Sequence, residues 1–358
     1  MFLKSIEIEN VRSISLYKNQ FSKGINLIYG KNGVGKTTIL EAIHTLSISK
    51  SFRSGNRKNM LKNQTDFMSI VGKFSDNFIK KIAFRKNIEK QKIMLDDTLI
   101  TKLSDLIGVF PSIVLSPEDI DIVSGGNQTR LTYINKILST ISKEYLINIA
   151  MYNKILKIRN NLLKNQKPYN EVIIWDEQLV PIGLKVWHER KLFFKEFLNE
   201  FKKTWKSSNL NSDIMLDYKT TSETDSIKFL DILSEGFEKD SLRGFTGFGP
   251  HKDKINFFVN NIDIKNQASQ GEKKFFLILL KITEAKLVYT KTNKRPVLLL
   301  DDLFAKLDKS RGKKVLNLIE DGYQTFITTT DNTVDTYFNN FDKVNFMHLK
   351  KENTCFAA

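Results

Sequence analysis

Cysteine is almost absent from the sequence, since its 358 residues include one, Cys355. A single thiol excludes a disulfide framework and a zinc site built from thiolates. No stretch approaches the roughly 20 consecutive apolar residues of a membrane-spanning helix, and the first residues lack the long apolar core of a signal peptide. We therefore expect a cytoplasmic protein without a membrane partner.

Long-range regularity is also lacking. The sequence has no internal repeat, no low-complexity linker and no sustained heptad pattern. We therefore expect no long coiled coil, and any helical arm must be short. The length and the 41% hydrophobic content are sufficient for a large core and for two or three domain-sized lobes.

Acidic residues are outnumbered, because 40 Asp and Glu stand against 56 Lys and Arg, which gives a formal net charge of +16. Lysine and arginine neutralise phosphates and release counterions, so the excess favours a polyanionic partner, with nucleic acid as the first candidate. An AT-rich coding sequence would also enrich Lys, Asn, Ile and Phe without selection for binding. Charge alone does not separate these two explanations.

Hydrophobic patterns divide the chain into three parts. Residues 1–117 combine strand-like segments with one helical pattern and predict the N-terminal part of an α/β lobe. Residues 118–240 are dominated by helical periodicity and predict an inserted helical lobe. Sheet signals return in residues 241–358, where two strand-like segments flank Asn260-Asn261 and predict a hairpin. We expect an α/β fold with mixed sheets.

A phosphate-loop pattern follows the strand-like run INLIY and precedes a helical pattern. Glycines in such a loop let backbone N–H groups wrap phosphate oxygens. Lys36 would neutralise the β- and γ-phosphates of ATP and serve catalysis, and Thr37 would hold Mg²⁺. The predicted nucleotide-binding residues of this segment are Gly30, Lys31, Asn32, Gly33, Val34, Gly35, Lys36, Thr37 and Thr38.

The second half of a nucleotide site is predicted at Val297–Leu300, an apolar run typical of a strand buried on both faces, which ends in two aspartates. Asp301 would bind the metal, and Asp302 would orient or deprotonate the attacking water. The interval between Lys36 and Asp301 is far longer than in small GTPases. It implies a large insertion between the two half-sites, as in ABC-type ATPase heads.

A third motif is expected shortly before the acidic strand, and Ser269-Gln270-Gly271 stands there, ahead of a strong helix pattern. It is similar to the ABC signature. Ser269 and the Gly271 N–H would form a donor nest for the γ-phosphate of ATP bound on another subunit, so the site would be complete only in a dimer. By itself, a serine at this position is also a plain helix N-cap.

Six segments resemble the RecF family of recombination mediators, and they occur in that family's order across nearly the whole chain. They are Asn26–Gly30, Lys50–Arg53, Ser116–Asp119, Trp175–Leu179, Gly249–Asp253 and Ser269–Gly271. Leu303–Asp308 is similar to the family's D-loop, and Phe326–Asp331 is similar to its switch strand.

This resemblance implies an SMC-like ATPase whose ATP-dependent homodimer clamps DNA near single-strand/double-strand junctions. It further implies action with RecR and RecO to place RecA on gapped DNA, in repair, in replication-fork maintenance and in the SOS response. Slow hydrolysis would release the clamp.

The sequence departs from the family pattern at several positions. Thr129–Thr132 stands where a run of arginines is usual, and Asn135 stands where an Asp is usual. Lys252 and Lys254 replace residues that the family usually fills with Arg and Asp. DNA contacts at these positions are therefore open, and His251 beside them fits a structural role as well as a phosphate or DNA role.

Four cations near the phosphate loop are candidates for nucleotide or DNA contacts, with solvated surface charge as the alternative. They are Arg12, Lys50, Arg53 and Arg57. The three tryptophans lie among Leu and Phe at helical spacing, which fits a core better than base stacking. They are Trp175, Trp187 and Trp205.

Two other ATPases could share such a head. One acts with a nuclease and would need a metal-binding carboxylate cluster beyond the nucleotide site, for which the sequence offers no candidate. The other is the ATP-hydrolysing subunit of a membrane transporter, in which the positive charge would be incidental. The order of the RecF-like segments argues against the transporter.

Overall fold

The computed structural model describes residues 1–53, 60–75, 79–208, 212–220, 225–303, 309–319, 322–330, 338 and 344–350. These residues form two compact units. The first unit consists of the described residues within Met1–Ile120, Thr204–Leu210 and Ala268–Ala358, and the second of those within Asp121–Lys203 and Asn211–Gln267.

An antiparallel sheet opens the first unit. Its strands are β1 (Phe2–Val11), β2 (Ile14–Gln20), β4 (Phe67–Ser75), β5 (Lys81–Asn87), β6 (Gln91–Leu95) and β7 (Thr98–Leu99), in the order β2-β1-β4-β5-β6-β7. In β4 buried side chains alternate with less buried ones, as a sheet with one covered face requires. A register shift between Leu3 and Ser5 explains the odd spacing of buried Leu3 and Ile6.

A parallel sheet forms the centre of the same unit. Its strands are β3 (Ile25–Tyr29), β8 (Ser112–Leu115), β12 (Val297–Leu300), β13 (Thr325–Thr329) and β14 (Val344–His348), in the order β14-β3-β13-β12-β8. All four residues of β12 are buried, which agrees with the prediction of a strand covered on both faces. The described part of the unit also contains the helices α1 (Lys36–Ile48), α9 (Gln270–Thr292) and α10 (Lys309–Leu318).

Helix α1 differs from the sequence-based interpretation. Its apolar residues recur at three- and four-residue steps with the polar Glu41 and His44 between them, a pattern that predicts an amphipathic helix. Both side chains are instead buried, at 0% and 1% exposure. Each has a polar partner that offsets the loss of contact with water. Glu41 binds Arg12, and His44 Nδ1 lies 2.8 Å from Ser112 Oγ.

The second unit is mainly helical, as predicted. Its helices are α2 (Asp121–Ser124), α3 (Asn127–Ile141), α4 (Lys143–Lys164), α5 (Tyr169–Ser207, whose last four residues belong to the first unit), α6 (Ser226–Glu235), α7 (Phe237–Arg243) and α8 (Ile264–Gln267). Helix α5 has 39 residues and continues past an internal proline, Pro181. No long coiled coil is present in the described part of the chain.

A small antiparallel sheet belongs to the second unit as well, with strands β9 (Ile214–Lys219), β10 (Lys254–Val259) and β11 (Ile262–Asp263). The predicted hairpin is confirmed at β10 and β11, where Asn260 and Asn261 both have positive φ, as a two-residue hairpin turn requires. Strand β9 was not predicted. Because β10 pairs with β9 and not with a strand of the first unit, residues 241–267 lie in the second unit, which differs from the predicted boundary at residue 240.

Buried ion pairs organise the interior of the second unit. Arg159 Nε lies 2.5 Å from Asp176 Oδ1, and Arg159 Nη1 lies 3.0 Å from Asp240 Oδ2. Asp253 accepts hydrogen bonds from Arg190 at 2.7 Å and from the indole of Trp187 at 2.8 Å. Burial raises the pKa of Asp176 and of Asp253, and the guanidinium partners oppose that shift.

Candidate nucleotide-binding site

The phosphate loop connects β3 to the first residue of α1, as the sequence predicts. Gly30, Gly33 and Gly35 all have positive φ, at 152°, 81° and 106°. Gly30 also lies against the chain that follows β14, because an added Cβ would stand 2.4 Å from the carbonyl oxygen of Leu349. Glycine is thereby favoured at these three positions, which leaves backbone N–H groups of the loop free of a local side chain where a ligand would bind.

Lys36 is the first residue of α1, and its ammonium group turns back into the loop. Nζ donates to the carbonyl oxygens of Gly30 at 2.7 Å and of Lys31 at 2.8 Å. Desolvation lowers the pKa of Lys36, while the carboxylates of Asp302 and Asp301 act in the opposite direction. A buried cation of this kind is suited to a phosphate group.

Asp301 lies at the carboxyl end of β12 and is held by two hydroxyl groups. Thr37 Oγ1 donates to its carboxylate at 2.9 Å from Oδ1 and 3.1 Å from Oδ2, and Thr328 Oγ1 donates to Oδ1 at 2.7 Å. Burial raises the pKa of Asp301, and the hydrogen bonds from Thr328 and Thr37 lower it. The two predicted metal residues, Thr37 and Asp301, are therefore in direct contact.

Asp302 follows in a left-handed backbone conformation, with φ of 51°. Its N–H donates to Thr328 Oγ1 at 2.9 Å, and its carbonyl oxygen accepts from Lys274 Nζ at 2.9 Å. These two bonds fix a conformation that non-glycine residues rarely adopt. They position the Asp302 side chain at the wall of the cavity that the phosphate loop faces.

This cavity has a volume of about 600 Å³, within the usual range for small-molecule sites. Residues of the sequence-predicted site that line it are Asn32, Gly33, Gly35, Lys36, Thr37, Thr38, Asp301 and Asp302. Gly30 and Lys31 contribute the carbonyl groups that hold Lys36, and Val34 lies within the same loop. Thr328 and Glu118 also line the cavity, and they fall in the RecF-like segments Phe326–Asp331 and Ser116–Asp119, but neither was predicted as a site residue.

Two of the four candidate cations line the cavity, namely Arg12 and Arg53. Arg12 forms a two-pronged ion pair with Glu41, at 2.5 Å from Nε to Oε2 and 2.7 Å from Nη2 to Oε1. Ser51 Oγ also donates to Glu41 Oε1, and Ser51 accepts the N–H of Arg53 at 3.0 Å. Lys50 is exposed and is not part of the cavity wall. The buried Glu41 thus connects both arginine segments.

Ser269 and Gly271 do not line the cavity. Ser269 is the N-cap of α9, where its side chain accepts from the Glu272 N–H at 3.3 Å and its own N–H donates to Glu272 Oε2 at 2.8 Å. This is a capping box. The hydrogen bond from Ser269 lowers the pKa of Glu272. Ser269 is exposed, so the N-cap role coexists with a surface on which a second molecule could be bound.

His251 has a structural role within the second unit. Its Nε2 lies 2.9 Å from the carbonyl oxygen of Thr246, and its Nδ1 lies 2.7 Å from the hydroxyl group of Tyr152. The carbonyl group can only accept, so Nε2 carries the proton and Nδ1 accepts from Tyr152. Burial lowers the pKa of His251 to about 4. The ring is neutral near pH 7 and has both nitrogens occupied.

Three residues at the departures from the family pattern have defined contacts within the second unit. Arg130 is buried, and its guanidinium donates to the carbonyl oxygens of three residues, Ile122, Val123 and Ile255. Asn135 accepts from Tyr145 and Arg190. Lys252 Nζ lies 4.6 Å from the centroid of the Phe245 ring.

Two of the three tryptophans, Trp187 and Trp205, are 6% exposed, which agrees with a core role, and Trp175 is partly exposed. Among the described residues, no group of three or more His, Cys, Asp and Glu side chains is arranged for a metal ion. No helix in the described ranges is long and apolar enough to cross a membrane. Arg57, Phe304–Asp308, Asp331 and Cys355 lie outside the described residues.

Comparison with known proteins decides the family. The model of the RecF/RecN/SMC N-terminal domain matches residues 2–353. The chain is 33% identical to the DNA replication and repair protein RecF of Thermoanaerobacter sp. (strain X514), over 94% of this chain and 97% of that protein. It is 32% identical to RecF of Bacteroides fragilis (strain YCH46), over 92% of this chain and 91% of that protein.

The chain belongs to the RecF family. A solved structure of the recombination mediator protein RecF with ATP, in the RecFOR pathway, superposes with a TM-score of 0.85 at 30% identity and covers 93% of this chain and 92% of that chain. The Smc head bound to the C-terminal winged-helix domain of ScpA shares the fold at a TM-score of 0.58 and 16% identity, covering 94% and 92%. The predicted α/β, ABC-type and SMC-like RecF head is confirmed.

Proposed function

We propose that the chain is an ATP-dependent DNA-binding protein of DNA repair and replication that hydrolyses ATP and acts in the cytoplasm. The contact between Thr37 and Asp301 is the observation that carries the proposal, because it joins the phosphate loop to the acidic strand at one cavity. The RecF-ATP structure supports ATP as the nucleotide. The net charge of +16 supports DNA as the polyanion.

In the proposed mechanism the phosphate-loop N–H groups and Lys36 bind the phosphates of ATP. The Thr37 hydroxyl and the Asp301 carboxylate offer oxygen ligands of the kind Mg²⁺ prefers, and the 2.9 Å between them fits a shared ion. When bound, Mg²⁺ supplies charge neutralisation at the phosphate oxygens. Asp302 orients the attacking water from a position fixed by Thr328 and Lys274.

Hydrolysis would be slow, because an aspartate at position 302 reaches less far than the glutamate usual there. Ser269 and Gly271 do not line the cavity of their own chain, so we assign them to the nucleotide of a second copy. ATP would then bridge two subunits, and the closed dimer would be favoured because it alone has both sets of contacts.

Membership of the RecF family supports the finer assignments. In them the closed homodimer binds DNA at single-strand/double-strand junctions, acts with RecR and RecO, and assists RecA loading on gapped DNA. The relatives are DNA replication and repair proteins, and the solved RecF structure is of a recombination mediator in the RecFOR pathway, which supports RecR and RecO as partners.

Binding of a labelled gapped duplex, measured by fluorescence anisotropy with and without ATP and Mg²⁺, tests the proposal. The mass of the complex is measured in parallel by sedimentation. We expect binding that requires ATP and a complex that contains two copies of the chain. If ATP causes dimerisation but the dimers do not bind DNA, the DNA assignment is overturned and the ATPase assignment remains.

A further inference from the structure

A second cavity lies on the solvent-facing side of the antiparallel sheet of the first unit, and we name it the sheet groove. Its volume is about 390 Å³, and Phe67, Ser69, Arg85, Lys90, Lys92 and Glu9 are among its lining residues. None of these residues lines the nucleotide cavity.

The strand register brings the polar side chains of the groove into one row. Glu9 of β1 pairs with Ser69 of β4, Ser69 pairs with Arg85 of β5, and Arg85 pairs with Lys92 of β6. Their neighbours along the strands point into the core, as buried Met68, Phe84 and Ile93 show. The row therefore faces solvent as a line across four strands.

Two cations of this row stand directly opposite each other. Arg85 and Lys92 form a cross-strand pair, and like charges at such positions destabilise a sheet. Neither they nor Lys90 forms an ion pair with a carboxylate in the described part of the chain. Glu9 is separated from Arg85 by Ser69, which is about two strand spacings or roughly 10 Å. An anion bound between the cations would relieve this repulsion.

Lys90 is held in place by its turn. The Asn87 side chain accepts the backbone N–H of Lys90 at 2.6 Å, and the Asn87 N–H donates to the Lys90 carbonyl oxygen at 3.0 Å. The turn places a third cation beside the Arg85 and Lys92 pair. The backbone positions of all three cations are therefore fixed before any ligand arrives.

An aromatic ring stands at the end of the same groove. Phe67 begins β4 opposite Asn87, and its side chain is 46% exposed. Phe67 is a diagonal cross-strand neighbour of Arg85, and residues at such positions are roughly 7–8 Å apart. Cations beside an exposed aromatic ring are the recurring elements of single-strand binding sites, in which the ring stacks on a base and the cations contact phosphates.

From these observations we propose that the sheet groove binds single-stranded DNA, with a base stacked on Phe67 and the backbone phosphates on Arg85, Lys90 and Lys92. A paired base is already stacked inside a duplex and is not available to a ring on a sheet surface. The inference rests on the proposed function, because it assigns the single-stranded side of the DNA to a specific surface.

Binding of a fluorescently labelled oligothymidylate tests the proposal, measured over a range of salt concentrations on the full chain with ATP and Mg²⁺. The test variant combines Arg85→Ser, Lys90→Ser and Lys92→Ser. The matched control combines Lys154→Ser, Lys157→Ser and Lys185→Ser, which removes the same charge from exposed positions of α4 and α5. We expect affinity at least about tenfold weaker for the test variant, and a salt slope reduced by about 2, since each single-strand phosphate contact contributes about 0.7.

Phe67 is tested separately through stacking. Phe67→Trp should retain binding, and the introduced indole should lose fluorescence when the oligothymidylate is added. Phe67→Ala should weaken binding by about tenfold, whereas Glu9→Gln should tighten it because a carboxylate is removed from the groove. The unfolding midpoint of each variant, measured by circular dichroism, separates lost binding from lost folding.

Equal losses in the test and control variants would overturn the groove assignment, because binding would then follow net charge alone. Loss of blunt-duplex binding as large as the loss of oligothymidylate binding would also overturn it, in favour of a duplex surface. If the groove variants bind gapped DNA with ATP as well as the wild-type protein does, the assignment of the groove is refuted and the proposed function stands. Wild-type protein that binds no DNA would refute the proposed function itself.

Discussion

Thr37 and Asp301 are 264 residues apart in the chain, and the hydroxyl group of the first lies 2.9 Å from the carboxylate of the second. The threonine belongs to the first turn of α1, and the aspartate directly follows β12. Neither residue is a metal site alone. Their contact depends on the parallel sheet, in which β3 and β12 lie on either side of β13 and have their carboxyl ends at the same end of the sheet.

Replacing Lys36 by alanine should weaken ATP binding by at least about tenfold, because a charge-assisted contact to phosphate is lost. Equilibrium titration with a fluorescent ATP analogue measures the effect. Lys31→Ala is the matched control, since Lys31 contributes its carbonyl group and its side chain is exposed. Equal affinities for the Lys36 variant and wild type would contradict the assignment of the loop.

Asp301→Asn should raise the stability of the nucleotide-free protein while it reduces ATP hydrolysis. Burial raises the pKa of Asp301 above its unfolded value. Such a group stabilises the fold at pH values below its unfolded pKa, and this contribution is lost as pH rises through its folded pKa. The charged carboxylate therefore destabilises the folded protein near pH 7. We expect a gain of about 1 kcal/mol in the free energy of unfolding.

The hydrolysis rate of the same variant should fall by about two orders of magnitude or more, because a metal ligand is lost. Urea unfolding and steady-state phosphate release measure the two effects. The exposed Asp231→Asn is the control variant. A variant that is less stable than wild type and hydrolyses ATP normally would show that Asp301 is only structural.

The two roles of Ser269 can be separated by three substitutions. Ser269→Asp keeps an N-cap acceptor but places a negative charge where a γ-phosphate would bind, whereas Ser269→Ala removes the cap at a cost of about 1 kcal/mol without adding repulsion. Ser269→Arg should spare ATP binding and block dimerisation by its size.

Sedimentation with ATP should therefore show monomers for the Asp and Arg variants and dimers for the Ala variant. ATP-dependent dimers of all three variants would remove Ser269 from the trans site.

The buried Arg159 should matter far more to stability than an exposed cation. Arg159→Met leaves Asp176 and Asp240 buried without their guanidinium partner and should reduce the free energy of unfolding by about 3–5 kcal/mol. Lys167→Met removes the exposed ion pair with Glu171 and should change the free energy of unfolding by no more than about 0.5 kcal/mol. Urea unfolding distinguishes the two, and similar values for both would contradict the role given to burial.

Acid should destabilise the second unit through His251. Its pKa is lowered from 6.5 to about 4, so the unfolded state binds the proton more readily. The contribution of His251 to stability is fully present above the pKa of the unfolded state. It is lost as pH falls toward the pKa of the folded state, by up to about 1.4 kcal/mol per pH unit.

Comparison with His251→Gln, which can donate and accept as the neutral ring does, isolates this contribution. We expect the variant to lose less unfolding free energy than wild type between about pH 7 and about pH 5. Parallel pH profiles for the two proteins would show that His251 does not titrate in this way.

Features encoded within a few residues could be predicted from the sequence. The phosphate loop, the buried strand before Asp301 and the Asn260-Asn261 hairpin each depend on local spacing and on turn chemistry. The pairing of Arg12 with Glu41 could not be predicted, because a charged residue in a helix is normally solvent-facing and no spacing rule connects the two. Strand β9 was missed for a similar reason, since its position depends on pairing with β10 across an intervening pair of helices.

The neighbours of β3 have a consequence for the order of events during synthesis. Ile25 of this strand pairs with Thr325 on one side and with Val344 on the other, and the phosphate loop begins directly after it. A chain is translated from its N-terminus at about 5–20 residues per second, so β3 leaves the ribosome long before either neighbour exists. Nascent chains that contain the complete phosphate-loop sequence should therefore fail to retain ATP until β13 and β14 have emerged.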